Sequence, residues 1–235
     1  MKKSTVNEIK ERFDNDVERF ANLETGQVAT MDAQISLELL TSAAKVIQPN
    51  AINVLDIGCG AGNYTLKMLS KVPNLNAVLI DLSQNMLEKA QERVSEATTG
   101  KVQTIQGDIR DIELPKNHFD IILAGAVLHH LREDSEWEFI FQKLYNSLTP
   151  GGCLMISDLL VQDHKEVNQL IWERYGKYLE QHGGIEYQQK VFDYIEKEDS
   201  PRSMTYQLDL MKKVGFSSTE ILHKNACFGA FGGIK

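Results

Sequence analysis

The feature that most constrains this chain is the stretch VLDIGCGAGNYT, Val54 to Thr65, where an aliphatic run stops at three alternating glycines. A short β-branched and aliphatic run such as Ile52 to Ile57 predicts a strand buried on both faces. Gly58, Gly60 and Gly62 then carry the chain into a helix expected over 63–70, broken by Pro73. Four more runs read as strands: NAVLID (76–81), KVQTIQGD (101–108), FDIILAGAVL (119–128) and CLMISDLL (153–160). Between them lie helical patterns. Met86, Leu87, Ala90 and Val94 form an apolar face behind Ser83, a suitable N-cap, and a helix over 136–148 ends at the breaker cluster TPGG. Strand and helix in alternation, with buried strands, predict a mostly parallel sheet covered by helices on both faces.

Three segments depart from that rhythm. Residues 4–22 place Val6, Ile9, Phe13, Val17 and Phe20 in steps of three and four, one stripe of a helix, and a second helix is expected over MDAQISLELLTSAAKVI. Residues 160–200 are rich in Gln, Glu, Lys and aromatics, among them Trp172, Tyr175, Tyr178, Tyr187, Phe192 and Tyr194, and read as a helical insertion or lid. After it, MTYQLDLMKKVGF is helical with Gly215 as its stop, and STEILHKN and CFGAFGGIK read as two strands joined by a tight turn. The expected organisation is one domain over 1–235, with an N-terminal helical cap over 1–48 and a lid over 160–200.

Composition narrows the function classes. The chain has 235 residues, 42% of them hydrophobic, enough for one sizeable core. A formal net charge of -8 leaves no electrostatic footprint for nonspecific nucleic-acid binding, so a nucleic-acid partner is not expected. Three cysteines with no C-x-x-C pair argue against a disulfide framework or a thiolate metal site and fit a reducing cytoplasm. The start MKKSTVNEIKERF lacks a signal peptide's apolar core, and no apolar run approaches the ~20 residues of a membrane span.

The glycine turn points to a ligand lying against backbone, beyond the carboxyl end of the first strand. A dinucleotide site favours G-x-G-x-x-G, and that spacing fails at Asn63. The motif is D-x-G-x-G-x-G, Asp56 to Gly62; an acid before the glycines suits a ligand with an amine and no phosphate, such as S-adenosylmethionine (SAM). Asp56 is expected beside its amino-acid end, in direct contact or through water. Asp81, ending the second strand, would accept hydrogen bonds from the ribose hydroxyls, with Leu82 next to it. Asp108, after the third strand, would accept from the adenine amine, while the Ile109 N–H donates to the ring. The alternative for each acid is a helix cap, and the three together favour the ligand.

These residues and their surroundings, VLDIGCGAG, LIDLS, GDIRDI, FDIILAGAVLHHL and LTPGG, resemble the class I SAM-dependent methyltransferases over nearly the whole chain. The look is nearest to the branch that makes carboxy-SAM for tRNA wobble-uridine modification, through FDNDVERF, GDIRDI and CFGAFGGIK. The resemblance implies a Rossmann-like seven-stranded sheet of order 3-2-1-4-5-7-6 with the seventh strand antiparallel. It also implies SAM as cofactor and Ala124, on the fourth strand, among the cofactor contacts. That branch holds its extra carboxylate with an arginine in the last helix; Leu210 aligns there, and Arg202 lies eight residues earlier.

The expected activity is methyl transfer to a small-molecule acceptor. The alternatives are carboxy-SAM synthesis or a noncatalytic SAM-binding module. Methyl transfer demands alignment first and a base only where the acceptor must lose a proton. His129, after the fourth strand, is the candidate base, against a packed or backbone-bonded histidine. On a helix His130 would diverge from it by ~100°, leaving one of the two facing the site. No metal is expected, since spacing offers no third ligand. Trp172 and Tyr175 are candidates for an acceptor pocket, against a place in the core. Arg12, Arg19 and Arg202 could meet an anionic acceptor, or stay as solvated charges. Tyr64 and Trp137 are expected to pack, and Cys59 to act as small filler. The apolar N-terminal stripe covers the cofactor or mediates a homodimer.

Overall fold

The computed structural model describes residues 3–22 and 28–235, the side chain of Phe20 excepted. The parts of the expected cap at residues 1–2 and 23–27 therefore lie outside the described residues, as does the Phe20 position of its stripe.

Seven strands form one sheet: β1 Asn53–Ile57, β2 Asn76–Asp81, β3 Val102–Gln106, β4 Phe119–Gly125, β5 Leu148–Leu159, β6 Ser218–Asn225 and β7 Phe228–Ile234. Their order is β3-β2-β1-β4-β5-β7-β6, as the family resemblance implied. The first five run parallel, and β7 lies antiparallel between β5 and β6. β5 begins at Leu148, ahead of its expected start, because Leu148 pairs with Phe119 across a register shift before regular pairing resumes at Cys153.

Eight helices fill the connections among the described residues: α1 Val6–Asp14, α2 Val17–Ala21, α3 Ala33–Ile47, α4 Asn63–Leu69, α5 Gln84–Ala97, α6 Asp134–Ser147, α7 Lys165–Glu198 and α8 Met204–Val214. Their starts and stops follow local chemistry. Ser83 Oγ accepts from the Met86 N–H at the head of α5, and Gly215, at φ 116°, ends α8. One face of the sheet is covered by α6 and α8 through Trp137, Phe141, Leu144 and Met211, and the other by α3, α4 and α5 through Leu40, Met68, Leu87 and Val94. Trp137 is fully buried, as expected of a packing residue.

One expectation is corrected here. The N-terminal stripe is not one helix, since the chain breaks at Asn15 and Asp16 between α1 and α2. Within that stripe Ile9 is buried, Phe13 lines the central cavity and Val6 is exposed. The insertion is helical but folds back on itself at Gly184, whose φ of 77° and ψ of 179° no helix accommodates. Its two arms bring Tyr175, Leu179, Val191 and Ile195 together against Leu159 and the β6–β7 turn at Cys227 and Phe228. This third cluster sets the insertion over the carboxyl ends of the strands.

Candidate active site

A cavity opens at those carboxyl ends, where a parallel sheet binds its ligands. Its sheet-side wall is the glycine turn and the tip of β2; its far wall comes from α1, α7 and residues 29–30.

The three glycines divide their work. All have positive φ, but only Gly60 faces open space, where an added Cβ would meet nothing within 4 Å. A Cβ on Gly58 would strike Val127 Cγ2 at 2.5 Å, and one on Gly62 would come within 3.0 Å of Val94 on α5. Gly58 and Gly60 line the cavity; Gly62 starts α4 and serves helix packing. Asn63, where a dinucleotide turn would need glycine, accepts from Arg93 Nη1 at 2.9 Å, which ties the turn to α5.

Asp81 ends β2 inside this cavity. One oxygen accepts from the Gly60 N–H at 2.8 Å and the other from the Ser83 N–H at 2.9 Å. Each oxygen keeps a further lone pair for a donor in the cavity. Burial raises its pKa against the pull of those two bonds. An open cradle over Gly60 beside a carboxylate fits a nucleoside that presents a diol and no phosphate. Leu82 lines the same wall.

The expected role of Asp56 is corrected. It is 1% exposed and stands outside the cavity lining. Its Oδ2 accepts from the Thr65 N–H at 3.2 Å and the Thr65 hydroxyl at 2.7 Å, so it braces α4 from beneath the turn. Burial drives its pKa up to about 7. Asp108 and Ile109 are likewise not brought to the cavity. Arg110 grips the Asp108 carboxylate, its Nε 2.9 Å from Oδ1, and against the pull of burial holds that carboxyl below its ordinary range. Ala124 is buried in the core, and the cavity takes its neighbours Gly125 and Ala126 instead.

His129 and His130 sit on a 3-10 turn, Leu128–His130, and both line the cavity. The expectation that one ring would turn away fails: the two rings lie 4.4 Å apart and the cavity reaches both. His129 Nδ1 bonds Asp158 Oδ1, and its backbone N–H donates to Oδ2 at 3.0 Å. Burial opposes charge on this ring, but Asp158 and Asp199 outweigh it and bring its pKa to about 9. A raised pKa keeps a proton on this ring and works against the general-base role expected of it.

Tyr175 lines the cavity and donates its hydroxyl to the Ala29 carbonyl at 2.8 Å. Trp172 stands outside, bonded to Asn168 and packed edge-on to Tyr175 and Phe192. Arg12 and Arg19 reach the cavity, while Arg202 pairs with Asp134 outside it and Leu210 is buried in the core. Arg12 Nε is 2.9 Å from Glu198 Oε1, an ion pair that sequence reasoning missed for want of any local signal. Tyr64 packs its ring over Gly125. Burial holds the Cys59 thiol well above its ordinary pKa, so it is no nucleophile.

A seven-stranded Rossmann-like sheet of order β3-β2-β1-β4-β5-β7-β6, with a glycine turn and Asp81 at the tips of β1 and β2, has the class I methyltransferase fold. Residues 54–152 match the family model described as a methyltransferase domain. The chain is 30% identical to a carboxy-S-adenosyl-L-methionine synthase of Helicobacter hepaticus over 75% of this chain and 73% of that protein. It is 26% identical to a demethylmenaquinone methyltransferase of Lactococcus lactis over 72% of this chain and 67% of that one. Human N-acetylserotonin methyltransferase, solved in complex with SAM, superposes with a TM-score of 0.65 at 16% identity, covering 99% of this chain and 59% of that longer one. The chain belongs to the class I SAM-dependent methyltransferases, and its cofactor is SAM.

Proposed function

We propose that this protein transfers a methyl group to a small-molecule acceptor held between the sheet tips and the α1–α7 roof. The observation that carries the reading is Asp81, a carboxylate inside the cavity beside the open cradle of Gly60. SAM, when bound, supplies a methyl group on a sulfonium with a neutral thioether as leaving group. Gly58, Gly60, Asp81 and Leu82 would hold its nucleoside. Phe13, Tyr175 and Phe228 present apolar surface to the same cavity and exclude water from the acceptor. No residue here is asked to remove a proton; the chain aligns the acceptor.

We read residues 1–48 and 160–200 as a cap and a lid on one domain. Three buried free cysteines fit a cytoplasmic setting, and no described helix is long and apolar enough to cross a membrane. The acidic charge favours a small molecule over nucleic acid.

A second reading is carboxy-SAM synthesis, the activity named for the Helicobacter relative. Arg12 and Arg19 in the cavity favour it, since an added carboxylate needs a cation there. Against it, Glu198 already engages Arg12, and apolar Leu210 holds the aligned position. Calorimetric titration of the purified chain tests the common core. S-adenosylhomocysteine should bind, and Asp81→Ala should weaken it by about 1–3 kcal/mol; equal affinity in that variant removes the ribose assignment. Mass spectrometry of the reaction products with candidate acceptors separates the two readings.

A further inference from the structure

The cavity floor holds a cluster with a chemistry of its own. His129, His130 and Asp199 each offer one donor atom, and these atoms lie within 4.8 Å of one another. Asp199 Oδ1 stands 3.3 Å from His130 Nδ1 and 3.7 Å from His129 Nε2. Neither approach is aligned as a hydrogen bond: His130 Nδ1 and Asp199 Oδ1 are both buried without a partner. The Asp199 side chain is 2% exposed, and its Oδ1 is a buried carboxylate oxygen that faces two imidazoles without an aligned hydrogen bond.

His129 supplies the second observation. Its Nδ1 is taken by Asp158, which also accepts from its backbone N–H. A carboxylate on one ring nitrogen fixes the tautomer and aims the other nitrogen away, here toward Asp199; this is the outer shell that metal-ligating histidines carry. The spacing agrees. Tetrahedral bonds of ~2.1 Å set ligand atoms ~3.4 Å apart, close to both separations of Asp199 Oδ1.

We propose that His129 Nε2, His130 Nδ1 and Asp199 Oδ1 bind one divalent transition metal. Two imidazoles and one carboxylate suit zinc or a neighbouring first-row ion. The ion takes the place of the proton on His129 Nε2, as metal binding to histidine requires. All three ligands line the cavity, so at least one coordination position faces it. An oxygen or sulfur donor of the acceptor would complete the shell, and that last step rests on the proposed methyl transfer. Sequence spacing hides this site because Asp199 arrives from the far end of α7.

The test is titration of the chelator-stripped full chain with Zn²⁺ and with Co²⁺, reading calorimetric heat and the visible absorption of Co²⁺. One ion per chain is expected. Binding is lost in Asp199→Asn and His130→Ala, weakened by ~10–100-fold in Asp158→Asn, and unchanged in His182→Ala, an exposed histidine elsewhere. Circular dichroism checks that each variant is folded; should one unfold, the other carries the comparison. No saturable binding by the native chain, or equal binding in the ligand variants, overturns the site. S-adenosylhomocysteine is titrated into the same preparation. Metal binding without it sinks the proposed methyl transfer and spares the metal site, and the reverse sinks the metal site alone.

Discussion

The two walls of the cavity are built by opposite means. The sheet-side wall comes from strand tips and the turns directly after them. Gly58, Gly60, Asp81 and Leu82 lie within two successive strand–turn units, joined by the bond from the Gly60 N–H to Asp81. The far wall gathers Arg12 from α1, Tyr175 and Tyr194 from the two arms of α7, and Asp199 just beyond them. One wall is set by local backbone and the other by docking of helices onto a finished sheet. Damage to the first should therefore act on binding with little effect on folding, and damage to the second should do the reverse.

The largest effect tests the first half of that contrast. Gly60→Val puts a branched side chain into the open cradle, and saturable binding of S-adenosylhomocysteine should vanish in calorimetry. Folding should suffer far less, because nothing crowds the added Cβ; the strain of a side chain at φ 50° costs about 1–2 kcal/mol. Retained affinity would show that the ligand does not lie against this turn, and the contrast between the walls would collapse.

The same division decides what the sequence could show. The seven strands were legible because periodicity and turn chemistry are local signals, while their order came only through the family resemblance; glycine spacing and a strand-ending acid are likewise local, and they pointed to Gly60 and Asp81. Asp56 misled for a local reason as well. An acid before a glycine turn can face the ligand or brace the next helix, and only the burial of its side chain and the two bonds from Thr65 choose the second. The far wall was legible only in part: helical spacing marked the α1 stripe, the helical insertion and Tyr175, but not how they dock. The Arg12–Glu198 pair and the approach of Asp199 to both histidines depend on how α1 and α7 dock, which no window of sequence records. The paired histidines were misjudged because helical spacing was taken to send one ring away, whereas the cavity wraps the short Leu128–His130 turn and reaches both.

A smaller effect sharpens the comparison from beneath the first wall. Asp56 has a folded-state pKa raised to about 7, above its ordinary value of 3.8, so between those limits the folded chain binds more protons than the unfolded one. Stability contributed by this group is then full below pH 4 and declines as pH rises toward 7. Each unit of the difference is worth about 1.4 kcal/mol, an order of magnitude only for so buried a group. Asp56→Asn keeps an acceptor for Thr65 and removes the charge. Its melting temperature, compared with the parent's at pH 5 and pH 8, should gain ground at the higher pH. Parallel pH profiles for the two proteins would mean that Asp56 is already charged in the fold and that water reaches it.

The smallest effect separates two arginines that sequence alone treated alike. Arg202 meets Asp134 at 2.9 Å, with side chains 28% and 69% exposed. Pairs in such high-dielectric surroundings contribute ~0–1 kcal/mol, because side-chain entropy and screening offset the attraction. Arg12 is as exposed as Arg202, but its partner Glu198 is only 7% exposed, so loss of Arg12 would strand a buried carboxylate. Arg202→Ala should accordingly shift the denaturation midpoint by no more than ~0.5 kcal/mol and leave S-adenosylhomocysteine affinity unchanged. A marked loss of turnover in that variant, with binding and stability intact, would bring Arg202 to the acceptor during the reaction. The far wall would then have to close by moving α8 and the lid together, and the division between a fixed wall and a docked one would have to become a division between a fixed wall and a moving one.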